Sequence, residues 1–208
     1  MYKSILILAA IGFLGFIGTA HAQFYFGVHG GANVVQDSDL EDPLVAGAEA
    51  SFDTGFAVGG VGGYRFGVND SLSIDVEGEI TYRDNALDEF EIGGADFDAS
   101  GDVYSLALMA NAWVNWEIGD SGFAPYIGGG LGAVFVDIDD PEIAGIALED
   151  GDDTVFGGQV GAGLGYSLTE HVAVSLDYRF LITDDPDFDG TDAEYQNHTV
   201  LLGVRYLF

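Results

Sequence analysis

Cysteine is absent and basic residues are scarce. The chain of 208 residues has one lysine, Lys3, four arginines and 35 acidic residues, for a formal net charge of −30. Without cysteine, a disulfide scaffold and a thiolate-zinc domain are excluded. A chain this acidic repels phosphate backbones, so we expect no nucleic-acid partner. Its 48% hydrophobic and 13% aromatic residues nevertheless exclude a disordered chain, so charged and apolar residues must be segregated.

Residues 1–22 have the features of a cleavable signal peptide. Lys3 precedes an apolar run from Ile5 to Gly18, and Ala20-His21-Ala22 follows the small-x-small pattern of a secretory cleavage site. The run is shorter than the roughly 20 residues that a membrane-spanning helix needs. We therefore predict a signal peptide over residues 1–22, export, and a single mature domain over residues 23–208.

Beyond Ala22 the apolar residues alternate with polar or small ones, which is the period of a strand with two different faces. No long apolar run follows, so we expect no membrane helix there. Each alternating segment is longer than the 5 or 6 residues usual in globular strands and long enough for a tilted strand to cross a bilayer. The eight segments lie near residues 24–34, 54–66, 71–83, 103–117, 123–136, 154–167, 171–182 and 195–208.

The connections between these segments differ strongly in length and charge. The odd-numbered ones, about 35–53, 84–102, 137–153 and 183–194, are long and hold 27 of the 35 carboxylates without a single Lys or Arg. The even-numbered ones are tight turns. In an up-and-down meander all long connections emerge at one end, which is typical of outer-membrane barrels. We therefore predict an all-β, eight-stranded antiparallel transmembrane barrel; the alternative is a secreted acidic β-sandwich.

Aromatic residues support the barrel because they cluster near both ends of the strands on the aliphatic face, as interfacial girdles do. The opposite face then points into a lumen that eight strands leave just wide enough for side chains. Its charged residues number four of each sign, which predicts an ionic network that plugs the lumen, with a gated ion path as the alternative. These residues are Arg65, Arg83, Arg179, Arg205, Asp75, Glu77, Glu79 and Asp177.

The acidic connections suggest binding of divalent cations through oxygen ligands. Asp185, Asp187 and Asp189 resemble the start of an EF-hand calcium loop, but Gln196 stands where the bidentate Glu belongs. We therefore expect no dedicated cofactor and at most loosely bound calcium or magnesium. Such ions could bridge the loops to lipopolysaccharide phosphates, and adaptation to salty water is an equally open interpretation.

A lipid-modifying enzyme would need a catalytic group near the outer leaflet. His198 has lipid-facing parity near the loop end, but its expected outward neighbours offer no serine or carboxylate. We therefore predict that the chain is not an enzyme. Those neighbours are Ala32, Val34, Phe180 and Ile182.

Four stretches resemble the small eight-stranded outer-membrane barrels of the OmpA, OmpX and opacity-protein type. They are Ala20-His21-Ala22, Phe24-Tyr25-Phe26-Gly27, the glycine-rich run from Pro125 to Gly132, and the ending Gly203-Val204-Arg205-Tyr206-Leu207-Phe208. The resemblance implies an integral barrel in the outer membrane of a Gram-negative cell, in contact with lipid and lipopolysaccharide. It also implies that Tyr206 and Phe208 belong to the signal read by the barrel-assembly machinery, and we expect no periplasmic peptidoglycan-binding domain.

The function that follows from these expectations is non-enzymatic. We expect a barrel that presents acidic extracellular loops, with a structural or surface-interaction role in the cell envelope and an unidentified surface ligand. A small porin-like channel gated by the interior Arg/Glu network is the first alternative. A lipid A-modifying enzyme is the second.

Overall fold

The computed structural model is built almost entirely of strands and describes residues 22–36, 38–42, 45–92, 95–143, 146–147, 151–184, 187–188, 191–193 and 195–208. The predicted signal peptide therefore lies outside the described residues except for Ala22. Eight long strands follow one another along the chain. They are β1 (Ala22–Val35), β2 (Gly55–Asn69), β3 (Leu72–Ile92), β4 (Ala95–Trp116), β5 (Phe123–Ile143), β6 (Gly151–Ser167), β7 (Val172–Thr183) and β8 (Gln196–Leu207).

Each strand pairs antiparallel with the next one, and β8 returns to pair with β1. The closing register runs from Tyr25 opposite Leu207 to Val35 opposite Asn197. The eight strands thus form a closed up-and-down barrel, as predicted. A 3-10 turn at Gly119–Ser121 connects β4 to β5, and no helix among the described residues is long and apolar enough to span a membrane.

At the loop end, β3, β4 and β5 run well beyond the predicted limits. The prediction ended the third strand at residue 83 and began the fourth at residue 103, but β3 and β4 stay paired from Asn85 opposite Val103 to Ile92 opposite Ala95, with one register shift. The short strand Val45–Phe52 pairs with β3, and Ser38–Asp42, Thr191–Ala193 and Asp187–Phe188 continue the same sheet. The sequence analysis assigned these acidic residues to the connections, whereas strand pairing is made by backbone N–H and C=O groups whatever the side-chain charge.

The two faces of the barrel wall have opposite polarity, and the apolar one lies outside. On β3, Val76 and Ile80 are 50% and 49% exposed, whereas Glu77 and Glu79 between them are 3% and 4% exposed. A water-soluble sheet would bury the aliphatic side chains and expose the carboxylates. The predicted assignment of the two faces is therefore confirmed for this strand.

Aromatic rings on the outer face contact one another near both ends of the strands. At the short-turn end, the ring centroid of Phe24 lies 5.4 Å from that of Tyr64 and 5.4 Å from that of Phe208. At the loop end, the ring of Tyr82 lies 6.2 Å from that of Phe56 and 6.1 Å from that of Tyr104. Two aromatic girdles therefore border the aliphatic band, the arrangement that matches bilayer interfaces.

Inward glycines make room for the largest side chains of the lumen. Gly128 of β5 faces Trp113 of β4, and an added Cβ at Gly128 would lie 2.1 Å from the carbonyl oxygen of Ala112 and 2.7 Å from Cε3 of Trp113. At Gly163 of β6, an added Cβ would lie 2.5 Å from the ring of Tyr126. Trp113 and Tyr126 can thus extend over the neighbouring strand, because the residue paired with each of them is a glycine.

We predict that Gly128→Ala lowers the free energy of unfolding by about 1–3 kcal/mol, because the added methyl group displaces the backbone or Trp113. Gly62→Ala is the matched control, since a Cβ at Gly62 on the outer face meets nothing within 4 Å. We expect the control to leave stability unchanged or to raise it by up to about 1 kcal/mol. Urea unfolding in lipid vesicles, followed by tryptophan fluorescence, measures both; equal destabilisation of the two variants would contradict the packing argument.

Candidate functional site: the filled lumen and the loop-end rim

The layer of the lumen nearest the short turns holds two arginines around one carboxylate. Arg65 donates from Nε and Nη2 to the two oxygens of Asp75, both at 2.8 Å. From β8, Arg205 places Nη1 3.4 Å from Oδ2 of Asp75 and Nη2 3.9 Å from Oε2 of Glu77. The bidentate pair between β2 and β3 has the strong planar geometry of guanidinium and carboxylate.

Glu77 is held by aromatic donors from two other strands. The Tyr25 hydroxyl of β1 donates to Oε2 at 2.6 Å, and Nε1 of Trp113 donates to Oε1 at 2.8 Å. The Arg205 guanidinium lies 5.4 Å from the ring centroid of Tyr25 and 5.5 Å from that of Tyr126. Aromatic faces attract a cation at this distance, so the rings and the carboxylates neutralise Arg205 together.

Glu79 is the centre of the next layer and accepts hydrogen bonds from several directions. Arg179 of β7 reaches it across the lumen and pairs with Oε2. Asn111 of β4 donates to Oε2 at 2.6 Å, Gln159 of β6 donates to the same oxygen at 2.9 Å, and the Thr81 hydroxyl donates to Oε1 at 2.6 Å. A single carboxylate thus connects β3, β4, β6 and β7 across the diameter of the barrel.

Asp177 completes this layer on the opposite wall. It accepts from the hydroxyl of Tyr126 and, at 2.7 Å, from that of Ser175. Nη2 of Arg179 lies 3.7 Å from its Oδ1, and the Arg179 guanidinium lies 5.1 Å from the ring centroid of Trp113. Both carboxylates of this layer therefore contact the same arginine.

The third of the lumen nearest the loops is filled by amide side chains and apolar residues instead of ion pairs. Asn33 donates to Oδ1 of Asn85 at 2.6 Å and to Oδ1 of Asn197 at 2.7 Å, and it accepts from Thr199 at 2.8 Å. Beside this amide chain lies the apolar cluster of the barrel interior. Its buried members are Val35, Val103, Ala107, Met109, Val134, Val136, Val155, Leu181 and Tyr195.

Arg83 lies in this loop-end third, apart from the other charges. The sequence predicted four arginines and four carboxylates in one network, but the described contacts join Arg65, Arg179 and Arg205 to the four carboxylates without Arg83. It is 1% exposed, and its three side-chain nitrogens have no hydrogen-bond partner. Glu79, the nearest acid on the same face of β3, is four residues or about 13 Å of strand away, which explains the separation.

The uncharged members of the network were not predicted. Asn111, Gln159, Tyr25, Trp113 and Tyr126 all have inward parity, and a count of charged residues alone passes over them. The signal that could have found them is a large polar or aromatic side chain whose cross-strand neighbour on the inward face is glycine, as Gly130 is to Asn111 and to Gln159.

His198 faces outward near the loop end, and its contacts include one that the sequence analysis missed. The Tyr178 hydroxyl and Nδ1 of His198 are 2.7 Å apart, and the Phe180 ring centroid lies 4.9 Å from that of His198. Tyr178 is the diagonal neighbour of His198 on the facing strand, a position within reach of long side chains. Among the described contacts of His198 there is still no serine or carboxylate.

Tyr206 and Phe208 lie on the outer face where the first and last strands meet. The Tyr206 ring stacks on that of Phe26 at 5.9 Å, and the Phe208 ring lies 5.7 Å from that of Phe26. The backbone N–H of Phe208 donates to the carbonyl of Phe24 at 3.0 Å. The C-terminal aromatics therefore take part in barrel closure, while their role as an assembly signal stays a prediction.

A row of carboxylates lies on the outer face just beyond the loop-end girdle. Asp84 pairs with Tyr104, Tyr104 with Asp137, and Asp137 with Asp152. Asp102 is one step further toward the loops, also on the exposed face. We call Asp84, Asp102, Asp137 and Asp152 the outer acidic row; it places four negative charges at the outside of the wall.

The predicted calcium ligands fall at the edge of what the structure describes. Asp185 and Asp189 lie outside the described residues, and only the backbone of Asp187 is described, as part of the strand Asp187–Phe188. Within the described residues, no three His, Asp or Glu side chains are grouped so that they could hold a metal ion.

Known structures share this architecture at low sequence identity. Neisserial surface protein A is 21% identical with a TM-score of 0.53, covering 90% of this chain and 99% of that one. OprG from Pseudomonas aeruginosa is 20% identical with a TM-score of 0.50, covering 90% and 97%. The outer membrane protease OmpT from Escherichia coli is 7% identical with a TM-score of 0.53, covering 89% and 97%. These likenesses show the barrel fold alone.

A closed barrel with an aliphatic band, two aromatic girdles and a polar filled interior defines the class of outer-membrane barrels. The family described as "Outer membrane protein beta-barrel domain" matches residues 6–208, nearly the whole chain, and the chain belongs to that family. It is an integral outer-membrane protein. No curated protein matches the chain.

We predict that Glu79→Gln lowers the free energy of unfolding by about 3–5 kcal/mol, because it leaves the buried Arg179 charge without its principal partner. Glu117→Gln is the control: Glu117 is an exposed carboxylate in a turn, and its loss should change stability by no more than about 0.5 kcal/mol. Urea unfolding in lipid vesicles measures both variants.

A double-mutant cycle separates the contribution of the ion pair from the simple loss of a polar group. Glu79→Gln combined with Arg179→Met removes both charges, so the double variant should lose less stability than the two single variants added together. Strict additivity, or a Glu79→Gln effect no larger than that of Glu117→Gln, would show that the central ion pair contributes nothing specific.

Proposed function

We propose that this protein is a non-enzymatic barrel that presents acidic loops at the cell surface and contributes to the integrity of the outer membrane. The observation that carries the proposal is the Glu79 layer, in which side chains from four strands meet at one carboxylate in the middle of the lumen. A lumen filled in this way supports a structural role over a transport role. The acidic loops and their surface ligand are then the functional part of the molecule.

The outer acidic row suggests how the rim would contact the membrane. Lipopolysaccharide carries phosphate groups, and carboxylates beside them repel unless a divalent cation lies between. Calcium and magnesium prefer oxygen ligands of both kinds. We therefore propose that loosely bound divalent cations bridge the outer acidic row, and the predicted loop residues Asp185, Asp187 and Asp189, to lipopolysaccharide.

A lipid-modifying enzyme with His198 at its active site has less support than the structural role. The pair of Tyr178 and His198 on the lipid-facing wall brings a hydroxyl to an imidazole at 2.7 Å. A phenol is a weak nucleophile without further activation, and the described neighbours of His198 supply no carboxylate that would orient the imidazole as a base. We therefore place this pair with the aromatic girdle at the outer interface.

We predict that the purified protein produces no discrete conductance steps in planar lipid bilayers, because the Glu79 layer closes the lumen to hydrated ions. Arg65→Gln, at the short-turn end of the network, is the matched comparison for Arg179→Gln in the central layer. Only the central variant should open a measurable leak. Stable steps from the native protein that change in size with Arg179→Gln would instead establish the small gated channel.

We predict that binding to lipopolysaccharide vesicles requires magnesium and is lost on chelation. Replacing Asp84, Asp102, Asp137 and Asp152 by asparagine should abolish the magnesium dependence, because the negative charges that attract the cation are gone. The control replaces Asp70, Glu117, Asp120 and Glu170, exposed acids of the short turns, by their amides. Co-flotation measures binding; equal magnesium dependence in both quadruple variants would refute the bridging role of the outer acidic row.

A further inference from the structure

The unpaired cation at the loop end of the lumen points to a ligand. Arg83 is 1% exposed, and its Nε, Nη1 and Nη2 atoms have no hydrogen-bond partner. A buried charge without a counter-charge is costly, and a guanidinium offers five N–H donors that need acceptors. The other three arginines of the chain are all paired with carboxylates, so the isolation of Arg83 is specific to this position.

Further unpaired donors lie in the same third of the lumen. Ser105 is the direct cross-strand partner of Arg83 on β4, and its buried hydroxyl has no partner either. On β8, Nδ2 of Asn197 is buried and unpaired, while Oδ1 of that amide accepts from Asn33. Among these unpaired groups only the Ser105 oxygen could also accept, so this region has more hydrogen-bond donors than acceptors.

The carboxylates already described in the lumen cannot supply that acceptor. Glu79 interacts electrostatically with Arg83, but its oxygens are occupied by Arg179, Asn111, Gln159 and Thr81. Asp153, at the loop end of β6, accepts from the N–H of Thr154, and none of the Arg83 nitrogens is hydrogen-bonded to it. The acceptor must therefore come from elsewhere.

We propose that Arg83, with the Ser105 hydroxyl beside it, binds a carboxylate group at the loop end of the lumen. A carboxylate matches the guanidinium fork with two parallel hydrogen bonds and neutralises the buried charge. Two sources share this chemistry: an Asp or Glu of this chain's own loop segments, and a free small carboxylate from outside. By loop segments we mean the four predicted connections, residues 35–53, 84–102, 137–153 and 183–194, which hold 27 carboxylates. A high density of tethered carboxylates gives a high effective concentration and repels free anions, which favours the internal source.

Arginine side-chain NMR tests this directly, because the chain has only four arginines and all four lie in the lumen. Protein with 15N-labelled arginine, refolded in detergent micelles, should give four Nε–Hε signals, and Arg83→Gln identifies the one from Arg83. The probe is sodium acetate, with sodium chloride at equal ionic strength as the salt control. The Arg65 and Arg179 signals serve as internal controls, since both guanidinium groups already have carboxylate partners.

The two sources give different patterns. If a free carboxylate is the ligand, acetate shifts the Arg83 signal of the native protein downfield and saturably, and Ser105→Ala weakens the response. If a loop carboxylate is the ligand, the native signal is already downfield and insensitive to acetate. Neutralising the Asp and Glu residues of one of the four loop segments then moves the signal, and acetate restores it.

One result would overturn the proposal. If the Arg83 signal responds to acetate neither in the native protein nor in any of the four neutralised variants, and neutralisation leaves its position unchanged, the guanidinium is satisfied by water alone. Gel mobility without boiling confirms that each variant is folded before its spectrum is interpreted. The native protein itself provides the first measurement, so the test does not depend on any single variant folding.

Discussion

The requirement that every polar side chain be kept away from hydrocarbon governs this molecule. The outer wall contacts lipid chains, so the charged residues of the membrane-spanning strands lie on the inner face and must satisfy one another there. Pairing of β1 with β8 joins the two edges of the eight-stranded wall and creates the interior that holds them. Most carboxylates of the chain fall outside the girdles in sequence, and Asp102, Asp137 and Asp152 of the outer acidic row are exposed.

The interior meets this requirement by combining large polar side chains on one part of the wall with glycines on another. Trp113 and Tyr126 extend over Gly128 and Gly163 and bring their polar atoms to Glu77 and Asp177. Because desolvation offsets much of the attraction between buried ions, the network is better understood as a way to place charges without penalty than as a large source of stability. Its geometric consequence is a lumen crossed by side chains.

Much of the fold was predictable because its signals are local. Alternation in β3, with Ile74, Val76 and Ile80 on one face and Asp75, Glu77 and Glu79 on the other, is sufficient to orient that strand. The partners within the lumen were harder to predict, since Asn111 and Gln159 reach Glu79 from strands distant in sequence, and parity does not specify the height at which neighbouring strands meet. Arg83 shows the difference, because its inward parity was predicted correctly and its isolation from the carboxylates was not. The strand extensions at the loop end escaped prediction because their acidic residues were assigned to the connections, while strand pairing is made by backbone N–H and C=O groups whatever the side-chain charge.

Photolabelling of the unmodified protein with a phospholipid that carries a carbene precursor in its acyl chain, followed by mass-spectrometric mapping, shows which side chains of the wall contact lipid. We expect label on Val76, Ile80, Leu202 and Val204, and none on Glu77, Glu79 and Arg179. Label on those charged residues, with the aliphatic positions unlabelled, would mean that the charged face of the wall contacts lipid and the aliphatic face lines the lumen.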